Sequence, residues 1–252
     1  MFATPAGAYD RFMGRWSRLL SPQLADLAGV KPGRRVLDVG CGPGALLSEL
    51  IGRLGPDAVS GVDPSESYAS AARERHPGVD IQVAAAERMP FADDTFDAAL
   101  AQLVVHFMTD PVAGLREMAR VTTSGGVVAA CVWDYAGHQD PLRVFWAAAR
   151  ERDPAVGDES GLAGVREGHL AELFTAAGLG RIESTALVVR LEQPDFDAWW
   201  QPFTEGVGPA GAYLARLDPD AREALRDACR AMLPDGPFVL DARAWAARGI
   251  VT

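Results

Sequence analysis

Three glycines and one aspartate are the residues of this chain best placed to bind a ligand. Gly40, Gly42 and Gly44 directly follow a short apolar run, and Asp63 ends a second apolar run about 20 residues later. Glycines let a ligand approach the backbone closely, and the helix N-terminus behind them offers N–H groups to an anionic group. An acid after the second strand can accept hydrogen bonds from ribose hydroxyls. The spacing therefore predicts a nucleoside site.

The elements that position these residues follow from hydrophobic periodicity. Residues 35–39 are mostly apolar and rich in β-branched side chains, as in a buried parallel strand. Apolar residues recur at helical spacing over 46–54, and residues 58–62 form the second apolar run. The glycine pattern also satisfies the G-x-G-x-x-[G/A] dinucleotide fingerprint, so other features must decide between the possible ligands.

The stretch Val36-Leu-Asp-Val-Gly-Cys-Gly-Pro-Gly44 decides more, because it closely resembles motif I of the class I S-adenosylmethionine (SAM) dependent methyltransferases. The resemblance implies that the loop holds the methionine part of SAM and that Asp63 binds the ribose. The other cofactor-binding residues that it implies here are Asp38, Gly40, Cys41, Gly42 and Pro64.

A second stretch, residues 84–97, resembles the methyltransferase pattern D-A-E-x-L-P-F-x-x-x-x-F-D. The family often has Asp at the position of Ala85, where it binds the adenine amino group. Ala85 has no such group, so the backbone near Ala86 and the side chain of Glu87 become the candidate adenine contacts. Gln102, near the end of the fourth predicted strand, is expected to face the SAM crevice at the switch point of strand order.

The N-terminal segment carries an apolar stripe at helical spacing, formed by Tyr9, Phe12, Met13 and Trp16. It is similar to the N-terminal segment that covers the cofactor in many small-molecule methyltransferases. Under that interpretation Tyr9 and Arg15 reach SAM, and Arg15 pairs with the methionine carboxylate. The simpler interpretation is a helix that packs on the domain. A second, separate helix is expected from Ser21 to Ala28.

His106 is the one histidine expected beside a strand end in the cleft. It is either a packed or surface histidine, or part of the acceptor pocket and a candidate general base. His76, His138 and His169 are expected to be incidental. Farther along, Phe196, Trp199, Trp200 and Phe203 recur at helical spacing, and they either anchor an inserted helix or line an apolar substrate site.

The strand and helix order predicts an α/β fold: a Rossmann-like, seven-stranded, mostly parallel sheet with helices on both faces and an antiparallel last strand. We expect one methyltransferase domain over residues 1–252. Within it, residues 1–33 are expected to form a helical lid and residues 34–133 the SAM-binding core. Residues 134–165 and 192–235 are expected to be substrate-covering insertions.

Composition limits the partners. With 48% hydrophobic residues and a formal net charge of −10, the chain has a globular composition and an acidic surface that disfavours nucleic acid. The three cysteines form no C-x-x-C pair, so neither a disulfide framework nor a metal site is expected. With no signal-peptide pattern and no apolar run of about 18 residues, we expect a cytoplasmic protein without a membrane span. Oligomeric state stays open.

These observations favour a methyltransferase that moves a methyl group from SAM to O, N or C of a small, partly apolar or aromatic acceptor and releases S-adenosylhomocysteine. The resemblance is to the small-molecule group that includes quinone-biosynthesis enzymes. A dinucleotide-dependent oxidoreductase and a SAM-binding protein without methyl transfer stay open as alternatives.

Overall fold

The computed structural model describes residues 6–252, so the first five residues of the expected lid lie outside the described part. Seven strands form one sheet in the order β3-β2-β1-β4-β5-β7-β6. The strands are β1 Val36–Val39, β2 Val59–Asp63, β3 Asp80–Val83, β4 Phe96–Gln102, β5 Thr122–Trp133, β6 Gly180–Gln193 and β7 Phe238–Ile250.

Strand direction follows the predicted pattern. Strand β1 pairs in parallel with β2 and β4, and β7 lies between β5 and β6 and is antiparallel to both. Strand order reverses between β1 and β4, which places the crevice at their carboxyl ends. All four residues of β1 are buried, as expected for a central strand that is covered on both faces. The predicted fold class is therefore confirmed.

Helices flank this sheet. They are α1 Ala6–Tyr9, α2 Arg15–Leu27, α3 Ala45–Leu54, α4 Glu66–Arg75, α5 Pro111–Val121, α6 Arg143–Arg152, α7 His169–Ala176, α8 Phe196–Trp200, α9 Gly208–Arg216 and α10 Pro219–Ala231. Helix α2 packs against α3, and α5 packs against α7. In the part of the chain that the structure describes, no helix is long and apolar enough to cross a membrane.

The expected break before Ser21 is wrong, because the N-terminal segment runs as helix from Ala6 to Leu27 with one π-helical turn over Asp10–Gly14. Pro22 lies inside α2, at a cost of about 3 kcal/mol. The buried side chains of Trp16, Leu20 and Leu24 keep a four-residue spacing across it. Each stabilises the fold by about 1.5–3 kcal/mol, and together they outweigh the proline.

Gly125 and Gly126, a pair that typically makes a turn, lie inside β5. Strand β5 begins at Thr122, and its register against β4 shifts after the Phe96–Thr122 pair. Gly125 has a φ of +77°, and its N–H donates to the carbonyl oxygen of Val251 at 2.9 Å. The two glycines therefore form an irregularity within the strand, which glycine allows because it accepts positive φ.

Candidate active site

The glycine loop folds back over the end of β2. Its N–H groups at Gly40 and Cys41 both donate to the carbonyl oxygen of Val62, at 2.7 and 3.0 Å. Gly40 has a φ of +70°, and a Cβ added there would lie 2.4 Å from Cγ2 of Val104. Glycine is therefore required at this position both by backbone conformation and by the close approach of the β4 end.

Asp63 connects β2 to the loop. Its carboxylate accepts hydrogen bonds from the N–H of Gly42 and from that of Ser65, each at 2.8 Å. Burial raises the pKa of this carboxyl, and the two backbone donors act in the opposite direction. Asp63 is only 6% exposed, yet it lines the cavity beside the loop. A carboxylate can accept further hydrogen bonds beyond these two.

A cavity of about 130 Å³ lies at the carboxyl ends of the central strands and has a mainly apolar lining. The N-terminal helical segment, the glycine loop, the end of β4 and the later insertions all contribute. The residues that line it are Tyr9, Phe12, Met13, Gly40, Gly42, Asp63, Pro64, Tyr68, Gln102, Leu103, Val104, His106, Phe107, Trp133, Tyr135, Leu142, Glu159, Val207, Gly208 and Pro209.

The structure brings seven of the twelve predicted site residues to this cavity. They are Tyr9, Gly40, Gly42, Asp63, Pro64, Gln102 and His106. The other five do not line it: Arg15, Asp38, Cys41, Ala86 and Glu87.

Asp38 lies behind the glycine loop. It is 1% exposed, and its carboxylate accepts a hydrogen bond from the N–H of Leu47 in the first turn of α3. The residue before that helix is Gly44, which has no side chain to cap it. Burial, reinforced by the nearby Asp63 carboxylate, raises the pKa of Asp38 well above its usual value. Asp38 therefore positions the loop and helix from behind.

Arg15 borders a smaller second cavity with Trp16, Trp199 and Phe203. Its Nε atom is buried without a hydrogen-bond partner in the described part of the chain, and burial lowers its pKa. Glu87 is also turned away from the main cavity. Its carboxylate accepts hydrogen bonds from the N–H groups of Thr109 and Asp110, so it holds the start of α5.

Cys41 and Ala86 are both buried. The Cys41 thiol packs against Gly61 of β2, where an added Cβ would lie 3.2 Å from the sulfur. Burial raises the pKa of this thiol well above its ordinary value. Cys41 is therefore a packed, protonated side chain under the loop.

Two polar side chains present unpaired atoms at the end of β4. Nε2 of Gln102 donates to the carbonyl oxygen of Ser17 at 3.0 Å, whereas its Oε1 has no partner among the described residues. His106 is 6% exposed, and its Nδ1 is likewise unpaired there. Burial lowers the pKa of His106 to about 3, so its imidazole is neutral. Buried polar atoms without partners are rare in native proteins, and these two line the cavity, which makes this end of it a candidate ligand site.

Comparison with known proteins adds a family match to this geometry. Residues 37–130 match the family model described as a methyltransferase domain. This part of the chain is therefore similar to methyltransferase domains. A demethylmenaquinone methyltransferase from Renibacterium salmoninarum is 38% identical over 112 residues, which are 44% of this chain. The alignment spans 45% of that relative, so the chain matches about half the length of a curated relative.

Solved structures extend the likeness of fold beyond residues 37–130. The YcgJ protein of Bacillus subtilis has a TM-score of 0.57 and 20% identity, covering 94% of this chain and 98% of that one. A geranyl diphosphate methyltransferase solved with SAM has a TM-score of 0.53 and 19% identity, covering 94% of this chain and 87% of that one. At these identities the likeness concerns the fold.

Two arginine clamps tie the N-terminal helical segment to the glycine loop and to a later insertion. Arg75 pairs with Asp10 of the π-helical turn at 2.6 Å and also donates to the carbonyl oxygen of Pro43 in the glycine loop at 2.7 Å. On the other side, Arg11 forms a two-point ion pair with Glu205, its Nη2 lying 2.7 Å from Oε2. The segment is thus tied both to the loop and to the insertion over 192–235.

Sequence reasoning missed three residues at the glycine loop and the cavity. His76, expected to be incidental, lies with Nε2 3.2 Å from Oγ of Ser48 and 3.3 Å from the carbonyl oxygen of Gly44, so it braces the loop. Arg75 beside it forms the clamp described above. Glu159 lines the cavity from the insertion over 134–165. The charge of Arg75 was visible in the sequence, but its spacing gave no sign of either contact.

No group of three or more His, Cys, Asp or Glu side chains that could hold a metal ion occurs within residues 6–252. The aromatic residues Phe196, Trp199, Trp200 and Phe203 are all buried. Phe203 stacks on Phe145 of α6 with ring centroids 4.8 Å apart. It also meets Phe12 edge to face at 5.2 Å, so this cluster packs the insertion against the N-terminal segment. Among the four, Trp199 and Phe203 border the second cavity.

Proposed function

We propose that this chain transfers a methyl group from SAM to a small, partly apolar molecule and releases S-adenosylhomocysteine. The observation that carries the proposal is the cavity itself. It opens where strand order reverses, inside the part of the chain that matches a methyltransferase domain, and it is bounded by Gly40, Gly42 and Asp63. That is where an open α/β sheet binds nucleotides.

The residues present fit SAM. The glycines of the loop have no side chains that would keep the methionine part of SAM away from the backbone. At Gly40, an added Cβ would also overlap Val104. Asp63 is the candidate acceptor for the ribose hydroxyls, and Pro64 beside it lines the cavity as a candidate contact of the nucleoside. Unpaired Oε1 of Gln102 is a candidate acceptor for the α-ammonium group. A solved neighbour of the same fold holds SAM.

SAM supplies a methyl group that is already activated by its sulfonium. The protein must therefore align the acceptor and exclude water. Tyr9, Phe12 and Met13 of the N-terminal segment cover the cavity, and the two arginine clamps keep that segment in place. We infer that residues 1–33 serve as the lid of a single domain and residues 34–133 as its SAM-binding core.

The apolar lining beyond the glycine loop favours a small acceptor with apolar or aromatic character. Trp133, Tyr135 and Leu142 line the cavity there, together with residues 207–209. These contributions support substrate-covering roles for the insertions over 134–165 and 192–235. The net charge of −10 disfavours nucleic acid as the substrate, and the three unpaired cysteines fit a cytoplasmic location.

Calorimetric titration of the purified chain with SAM, S-adenosylhomocysteine and NADH tests the cofactor. Micromolar binding of both sulfur ligands, without binding of NADH, is the expected result. Binding of NADH alone would return the glycine loop to its dinucleotide interpretation. Transfer of a labelled methyl group from SAM to small acceptors is the second measurement. A protein that binds SAM but transfers no methyl group to any acceptor would be a SAM-binding protein of another kind.

A further inference from the structure

One carboxyl group that lines the cavity has no role in the proposed binding of the methyl donor. Glu159 is 3% exposed and lines the cavity, and its Oε2 atom has no hydrogen-bond partner in the described part of the chain. The buried indole N–H of Trp146 acts on the same carboxyl but forms no hydrogen bond of good geometry with it. A buried carboxyl without a partner is costly, because its charged form loses its hydration. A buried, unpaired acceptor that borders a ligand cavity points to a group on the ligand that donates a hydrogen bond to this acceptor.

Neighbouring elements fix the position of this carboxyl. Asp158, the residue before it, caps the short 3₁₀ turn Glu159–Gly161 by accepting a hydrogen bond from the N–H of Ser160 at 3.0 Å. Arg150 of α6 forms an ion pair with Asp158. The turn is therefore anchored to α6. Arg150 is already paired with Asp158 and does not line the cavity.

The charges around the cavity are of one sign. Among the described residues that line it, Asp63 and Glu159 are acidic and none is Lys or Arg. Asp140 is buried nearby, and its charge acts on Glu159. The cavity therefore opposes an acceptor that carries a carboxylate or phosphate, since no cation is present to pair with it.

We propose that Glu159 recognises the nucleophilic group of the acceptor and takes its proton, so that the acceptor is an apolar, uncharged molecule methylated at an O–H or N–H group. This inference rests on the proposed methyltransferase function and adds the chemical class of the acceptor. Tyr135 and His106, whose rings meet edge to face at 5.8 Å, form an aromatic wall of the same cavity.

The transfer balances with the groups named. The acceptor oxygen or nitrogen forms a bond to the methyl carbon as the bond from that carbon to sulfur breaks, and the bonding pair leaves with sulfur as a thioether. The proton of the nucleophile passes to Oε2 of Glu159 and later to solvent. His106 is a poor base beside it, because its imidazole is neutral and hard to protonate in this buried position.

Titration of Glu159 gives the proposal an independent readout. Burial raises its pKa to about 7, and Asp140 and Asp158 add to that effect. The other titratable group that interacts with it is Tyr135, whose pKa burial raises. The indole N–H of Trp146 lowers the pKa of Glu159, and the cation of Arg150 is held by Asp158. A base must be unprotonated to act, so the rate should rise with pH and level off above about 7.

The test uses four naphthalene probes that differ in one substituent: 2-naphthol, 2-naphthylamine, 2-naphthoate and unsubstituted naphthalene. Binding to the chain loaded with S-adenosylhomocysteine is measured by calorimetry, and methyl transfer is measured with labelled SAM. We expect binding and methylation of the naphthol, the amine or both. Comparison of the naphthol with the amine shows whether the acceptor group is an O–H or an N–H. Preferred binding of the naphthoate, or no binding of either proton donor by a chain that binds SAM, would overturn the proposal.

Variants then test the role of Glu159. Glu159→Gln should lower kcat by about 10²–10⁴-fold, remove the pH-dependent rise and leave the SAM dissociation constant within twofold. The exposed Glu151→Gln is the matched control on α6 and should change neither kcat nor the pH-dependent rise. Asp140→Asn should keep the rise but move it to lower pH, because one neighbouring negative charge is lost. An unchanged pH profile in Glu159→Gln would overturn the proposal, whereas a chain that binds no SAM would instead overturn the proposed function.

Discussion

The N–H of Gly42 donates to the Asp63 carboxylate at 2.8 Å, and this hydrogen bond joins the centre of the glycine loop to the end of β2. The two parts of the sequence motif, about 20 residues apart, therefore meet directly. Asp63 both shapes the loop and faces the cavity. A change at this residue should therefore affect ligand binding both by altering the loop and by removing a group that faces the cavity.

Asp63→Ala is expected to weaken SAM binding by about 1–3 kcal/mol, roughly 5- to 150-fold in the dissociation constant. The reason is that both the ribose hydroxyls and the Gly42 N–H lose their acceptor. Calorimetry on the folded variant is the measurement, with its melting temperature recorded beside it. Asp57→Ala is the matched control, because Asp57 is exposed before the same strand. Equal SAM affinity in Asp63→Ala and the unsubstituted chain would remove Asp63 from the site.

His106 is expected to stay neutral from pH 5 to pH 8. Its pKa of about 3 results from burial, which disfavours the imidazolium. The ring resonances of His106, assigned by comparison with the His106→Gln variant, should not move across this range in an NMR titration. A transition near the ordinary histidine value of about 6.5 would contradict the buried position and would reopen a role for His106 as a base.

The core of the site could be predicted from sequence because its determinants are local. A run of buried strand residues, glycines that need positive φ and an acid at a strand end are adjacent in the chain, so the motif specifies its own geometry. Gly40 and Asp63 lie at the cavity for this reason. The prediction was weaker for Asp38, where the motif gives the residue type but not which side of the loop it occupies.

Residues outside the motif could not be placed because their positions depend on packing between distant segments. The π-helical turn over Asp10–Gly14 adds a residue to one turn and changes the helical phase before Arg15, which borders the second cavity. Glu159 follows a stretch with no periodicity, and only the anchoring of that stretch to α6 brings it to the cavity. Tertiary contacts of this kind leave no spacing signal.

Asp140→Asn is expected to stabilise the chain at pH 8 and to leave its stability unchanged at pH 4. Burial raises the pKa of Asp140 to about 7 in the folded state, whereas the unfolded chain loses the proton near pH 4. The folded state therefore loses stability as pH rises from about 4 to about 7. The amide cannot ionise and removes this loss, which we expect to be worth about 1–3 kcal/mol.

Urea unfolding at pH 4, 6 and 8 measures this effect as the difference in free energy of unfolding. Asparagine keeps an oxygen that can accept the hydrogen bond from the N–H of Leu142, now 2.7 Å from the Asp140 carboxylate. Asp235→Asn, at an exposed position, is the control and should show no such trend. A stability difference that does not grow between pH 4 and pH 8 would mean that Asp140 ionises normally in the folded chain.

Two Gly→Ala substitutions should have opposite effects on stability. At Gly40 the backbone has a φ of +70° and the new Cβ would lie 2.4 Å from Val104, so we expect a loss of about 2–5 kcal/mol from strain and overlap. At Gly52, inside α3, nothing lies within 4 Å of the added Cβ. Gly52→Ala should therefore stabilise the chain by about 0.5–1 kcal/mol, since alanine favours helix.

Chemical denaturation of both variants tests this contrast, and a third variant separates its causes. Gly40→Ala combined with Val104→Ala removes the overlap but keeps the left-handed backbone, so it should recover only part of the lost stability. SAM binding by each variant that folds is the second readout. Gly40→Ala should weaken SAM binding because the loop must shift to make room for the alanine side chain, whereas Gly52→Ala should not. Unchanged stability in Gly40→Ala would show that the loop does not need glycine there.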